Sequence, residues 1–63
     1  MTSVAALFAE LTGKLEDLHA IAVEGQAFDA LADMRLALLR MMIEGLFSLE
    51  LTVKALREAL DDA

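Results

Sequence analysis

From Val4 onward apolar residues return at alternating steps of four and three, through Phe8, Leu11, Leu15, Leu18 and Ala22, with Leu7 and Ile21 widening the stripe. That spacing draws one face of an amphipathic helix. Thr2 or Ser3 stands where a hydroxyl can accept a hydrogen bond from an early helical N–H. Glu10, Thr12, Lys14, Glu16 and Asp17 fall elsewhere on the wheel, with Glu10 and Lys14 in the favourable i, i+4 order. Gly13 sits on the outer side and weakens this helix by up to ~1 kcal/mol relative to Ala.

Gly25 is the strongest stop signal, because glycine readily takes the left-handed conformation that closes a helix. The pattern predicts helix 1 over about 3–24, a turn over 25–27 and helix 2 over about 28–60. A connection this short favours antiparallel neighbours. One continuous helix through Gly25 is the alternative.

Helix 2 is the more apolar of the two. Leu39, Met42, Leu46, Leu49, Val53, Leu56 and Leu60 alternate by three and four without a fault, as the a and d positions of a coiled coil do. In its middle, Leu36, Leu38, Met41, Ile43 and Phe47 extend the apolar arc, leaving a narrow polar strip through Asp33, Arg40, Glu44 and Ser48. A helix apolar on most sides belongs inside a bundle. Helix 2 would be ~50 Å long against ~33 Å for helix 1, at 1.5 Å per residue. The segment beyond about Leu46 is therefore expected to outrun helix 1 and to need a second chain. Gly45 would allow a close backbone approach. Three i, i+4 pairs, Glu50 with Lys54, Lys54 with Glu58 and Arg57 with Asp61, restore a solvated face, while Asp61 and Asp62 oppose the helix dipole.

Length and composition sharpen this picture. A chain of 63 residues buries only about 60% of its unfolded surface, so a single-chain core is marginal. Its hydrophobic content of 59% exceeds the roughly 45–50% of an ordinary domain. There is no cysteine, which removes disulfides and thiolate metal sites, and only one histidine. Oligomerisation or very regular helix packing is the remaining remedy.

A net charge of −6, from five Lys+Arg against eleven Asp+Glu, opposes binding to phosphate backbones and to anionic membranes. The apolar run from Leu36 to Phe47 is interrupted by Arg40 and Glu44, which argues against a membrane span. The start of the chain lacks a basic region and meets Glu10 early, unlike a signal peptide, so a cytoplasmic protein is expected.

Candidate chemistry is sparse. Glu16 and His19 have the Glu-x-x-His spacing used in di-iron bundles, but helix 2 offers no carboxylate at a matching core position. A metal-binding bundle using these two residues is the least favoured reading, phosphotransfer through His19 has nothing specific around it, and no cofactor is expected. Arg35 lies among Leu31, Leu38, Leu39 and Met42 with no acid three or four positions away. It is expected to form an interhelical or intersubunit ion pair that fixes register, level with Glu16, Asp17 and His19. A bound anion or a partner's carboxylate is the alternative. Met34, Met41 and Met42 with Phe47 read as core filling, or else as a soft binding surface.

No glycine-rich phosphate loop, nucleophile-base pair or paired catalytic carboxylates can be assembled, so no enzymatic activity is expected. In length and plan the chain is similar to Rop, a plasmid RNA-binding protein in which a short two-helix chain forms an antiparallel bundle. The likeness implies an architecture and no more, because helix 1 offers only Lys14 where RNA binding needs a cationic face. The expected fold is an all-α antiparallel hairpin associating into a four-helix bundle or coiled-coil-like oligomer. The expected role is structural or regulatory, with copies of the chain as first partner. The alternative is a small chaperone, antitoxin or inhibitor that docks helix 2 on a different protein.

Overall fold

The computed structural model describes residues 3–61. Two helices, α1 (Val4–Gly25) and α2 (Ala32–Asp61), pack against each other as an antiparallel hairpin, with no strand among the described residues. The hairpin is a rod of 49 × 15 × 14 Å with a radius of gyration of 14.7 Å. A compact chain of this length would have a radius of about 11 Å.

Local chemistry sets the helix ends. Ser3 caps α1 in an extended conformation, its Oγ accepting from the Ala6 N–H at 3.0 Å. Thr2, the other cap candidate, lies outside the described residues, as does Asp62. The helix runs unbroken through Gly13, whose missing side chain faces open space. At the other end the expectation for Gly25 needs correction. It is the last helical residue, and no residue described has a positive φ. The end tightens instead through i→i−3 bonds, Gln26 N–H to the Val23 carbonyl and Ala27 N–H to that of Glu24.

The connection is also longer than the predicted 25–27, because Ala30 N–H closes a further turn onto the Ala27 carbonyl and α2 begins only at Ala32. The break at this turn rules out one continuous helix.

The longer turn changes which parts of the helices face each other. Lys14 reaches Ser48 and Thr52, and Leu18 lies against Gly45. The first half of α1 therefore covers the second half of α2, and Leu7, Thr52 and Leu56 are all buried. The expectation that α2 is uncovered beyond Leu46 is overturned. What overhangs is the opposite end, residues 32–37 with the turn.

The seam between the helices is regular. On α1 it takes Val4, Leu7, Leu11, Lys14, Leu18, Ile21 and Gly25, and on α2 Leu38, Met42, Gly45, Leu49, Thr52, Leu56 and Ala59, each buried or half-buried. Both sets alternate by three and four, the spacing of interlocking a and d positions. Small residues sit at the closest approach. A methyl group on Gly45 would meet Leu18 Cδ2 at 2.6 Å, so the space this glycine leaves is filled by a side chain and not by the backbone approach expected of it. No side chain is completely buried among the described residues, which leaves the hairpin with a seam and no true interior.

Candidate protein-interaction surface

The seam uses only some of the residues with the strongest heptad signal. Of the seven predicted on α2, Met42, Leu49 and Leu56 face α1, whereas Leu39, Leu46, Val53 and Leu60 turn to solvent, Leu39 at 54% and Leu46 at 50% exposure. The same rotation occurs on α1, where Phe8, Leu15 and Ala22 are exposed and Lys14 takes a seam position. In each helix the apolar arc is wider than one contact can cover. The α2 side of the seam takes Gly45, Thr52 and Ala59 between Leu38, Met42, Leu49 and Leu56, and leaves Leu39, Leu46, Val53 and Leu60 outside.

The displaced residues of both helices lie on one flank of the hairpin. A groove on this flank is lined by Ile21, Ala22 and Gly25 of α1, by Gln26, and by Leu38, Leu39 and Met42 of α2, with Arg35 at its turn end. Residues at steps of seven share one side of a coiled-coil helix. Phe8, Leu15 and Ala22 therefore run beside Leu39, Leu46, Val53 and Leu60 as two parallel apolar rows, with no charged residue in either. On α2 the apolar surface continues around the helix through Leu36, Ile43 and Phe47, all exposed.

The other flank differs in chemistry. Its groove is lined by Asp17, Ala20 and Ile21 of α1 and by Met41, Glu44 and Gly45 of α2. Glu10, Asp17 and Glu24 follow one another at steps of seven along this side, facing the small residues Ser48 and Ala55 as well as Met41. Lys14 leans from the seam toward it. Its Nζ pairs with Glu10 at 3.3 Å and donates to the Ser48 carbonyl at 2.9 Å and to Thr52 Oγ1. This cluster satisfies the buried Thr52 and fixes the helical register. The wheel assigned Lys14 and Ser48 to solvated strips, and no feature of spacing marked them as partners.

Within the chain Arg35 meets backbone carbonyls and not the expected carboxylates of α1. Its Nε donates to the Gly25 carbonyl at 3.1 Å and its Nη2 to the Ala27 carbonyl at 2.9 Å, and it makes no ion pair among the described residues. The guanidinium thus caps the negative end of α1, where unpaired carbonyls and the helix dipole favour a cation. The reason is again the longer turn, which brings Arg35 beside the end of α1 and well away from Glu16 and Asp17.

Glu16 and His19 are exposed on α1, and no group of three metal-ligating side chains gathers among the described residues. Of the terminal pairs on α2, Arg57 and Asp61 approach to 3.9 Å, while Glu50–Lys54 and Lys54–Glu58 do not reach ion-pair distance. At the turn, Phe28 is fully exposed, with Leu31 and Met34 next to it. No helix among the described residues is long and apolar enough to cross a membrane. Comparison of the chain with protein families, with characterised proteins and with solved structures finds no match.

Proposed function

We propose that this protein is a small acidic assembly module, non-enzymatic and either structural or regulatory, which acts by binding other helices, those of its own copies first. One observation carries the reading: two exposed apolar rows running side by side along both helices of a hairpin that has no fully buried side chain among the described residues. Contiguous apolar patches of this kind on small proteins mark interaction surfaces. The absence of cysteine is compatible with a cytoplasmic setting. The net charge of −6 argues against nucleic acid and anionic membranes as partners.

Thermal melting followed by circular dichroism over a concentration series tests the reading, because association stabilises the folded state by mass action. A cooperative transition whose midpoint climbs with concentration is expected. A cooperative transition independent of concentration would remove self-assembly.

A second reading is docking of α2 on a different protein, as a chaperone, antitoxin or inhibitor would do. It is favoured by Phe28, Leu31 and Met34 at the turn and by Phe47 and Leu51 on the outside of α2, all exposed and all beyond the apolar flank. It predicts a chain that is aggregated or molten when purified alone.

A further inference from the structure

We infer that a second copy of the chain seats on the apolar flank antiparallel to the first, about a twofold axis that passes Leu15, so that the two turns project from opposite ends of a four-helix bundle. This rests on the assembly reading above and specifies its surface and geometry.

The first argument is register. Lys14 reaches Ser48 and Thr52, and Leu18 meets Gly45, so Leu15 stands level with the midpoint between Leu46 and Val53. A half-turn about an axis crossing the rod at this level carries the flank onto itself. Phe8 then falls on Ala22 of the second copy and Leu15 on Leu15. Leu46 falls on Val53 and Leu39 on Leu60. Every apolar residue of the two rows meets an apolar residue, and the largest meets the smallest, which is how facing layers interlock. An interface of this isologous kind closes on itself as a dimer.

The second argument is area. The stretch in which both helices are present is about 33 Å long and two helices of about 10 Å wide, roughly 660 Å² from each copy. Together the copies would bury about 1,300 Å², inside the range of about 1,200–2,000 Å² for stable specific interfaces. The third argument is charge. Two copies meeting through the other flank would set Glu10, Asp17 and Glu24 against their own equivalents, whereas the two apolar rows themselves carry no charge, with Arg35 at the end of their groove and Glu50 at the edge beside Leu46. Like charges placed opposite one another suppress that pairing.

The chain has no cysteine, so single-cysteine variants report cleanly. In the Leu15→Cys variant the two thiols face each other across the axis, and a short thiol-specific crosslinker should convert most of the protein to covalent dimer. Asp17→Cys, on the acidic flank, should stay monomeric on a denaturing gel under the same conditions. Because Leu15→Cys could itself loosen the contact, spin labels at Asp33→Cys, exposed near the start of α2, give an independent distance. Lying about 16 residues from the axis, the two labels should be roughly 50 Å apart at 1.5 Å per residue.

Dimers whose Asp33 labels lie within about 25 Å of each other would have both turns at one end and would overturn this geometry while leaving self-assembly intact. Dimers that crosslink through Asp17→Cys and not through Leu15→Cys would overturn the choice of flank. A chain that stays monomeric and ordered would overturn the assembly reading itself and leave the flank to a different protein.

Discussion

The two flanks of the hairpin share one seam and have little else in common. On one, Phe8 and Leu15 of α1 run beside Leu39, Leu46 and Val53 of α2 with no charge between them. On the other, Glu10, Asp17 and Glu24 face a row of mostly small residues, and Lys14 ties that edge down through Glu10, the Ser48 carbonyl and Thr52. The acidic flank is finished within the chain, since its polar groups have partners or water. The apolar flank is not finished in this way, since none of the described residues covers it. The contrast between the flanks is what supports the proposal that a second copy covers the apolar one.

Substitutions on the flanks, in the seam and at the turn would break or sharpen that contrast. The largest effect is expected from Leu46→Glu, which places an unpaired carboxylate in the shared contact once from each copy. Burying unpaired charge is severe enough that dimer affinity should fall at least ~1,000-fold, or ~4 kcal/mol. Met41→Glu, on the acidic flank, should leave the mass in solution unchanged, and light scattering of the two variants at matched concentration makes the comparison.

Next comes Leu56→Ala, which opens a cavity in the seam itself at one of the most buried positions. It should cost about 2–5 kcal/mol in chemical denaturation whatever the state of either flank. A loss below ~0.5 kcal/mol would mean that the helices do not pack there. Leu49, half-buried in the same seam, would respond to Glu by unfolding, so it probes the hairpin and not the flank.

Arg35→Ala removes two donors from the carbonyls that end α1 and should cost about 1 kcal/mol. Hydrogen exchange at Gln26 and Ala27 should quicken, and unchanged protection there would show that the guanidinium does not hold the turn. The smallest effect has the opposite sign. Gly13→Ala fills open space in mid-helix and should stabilise the fold by ~0.5–1 kcal/mol, measured as a rise in the denaturant midpoint.

Much of the hairpin could be read from spacing alone. Two helices of unequal length, a break at Gly25, the Ser3 cap and the Glu10–Lys14 pair all follow from local rules, and local rules act through neighbours three or four residues away. What spacing could not resolve was the rotation of each helix about its own axis. Leu46 and Gly45, Val53 and Thr52, Leu60 and Ala59 are adjacent pairs, and hydrophobicity favours the first of each pair for burial. The structure puts the second of each pair in the seam and leaves the first exposed, because each apolar arc is wider than the single contact between the helices. The length of the turn was equally hidden. Residues 27–30 close an extra turn through one backbone bond, and that displacement moved Arg35 onto the carbonyls of Gly25 and Ala27 and set α1 against the far half of α2. Lys14 went unrecognised because its partners are a backbone carbonyl and a threonine hydroxyl thirty-four and more residues away.

The central claim is that this hairpin is completed by another copy along its apolar flank, and sedimentation equilibrium of the unmodified protein from micromolar to millimolar concentration tests it most directly. The account predicts a single species of twice the 6.8 kDa chain mass over most of that range, dissociating only at the dilute end. A well-folded species of 6.8 kDa at every concentration would contradict it.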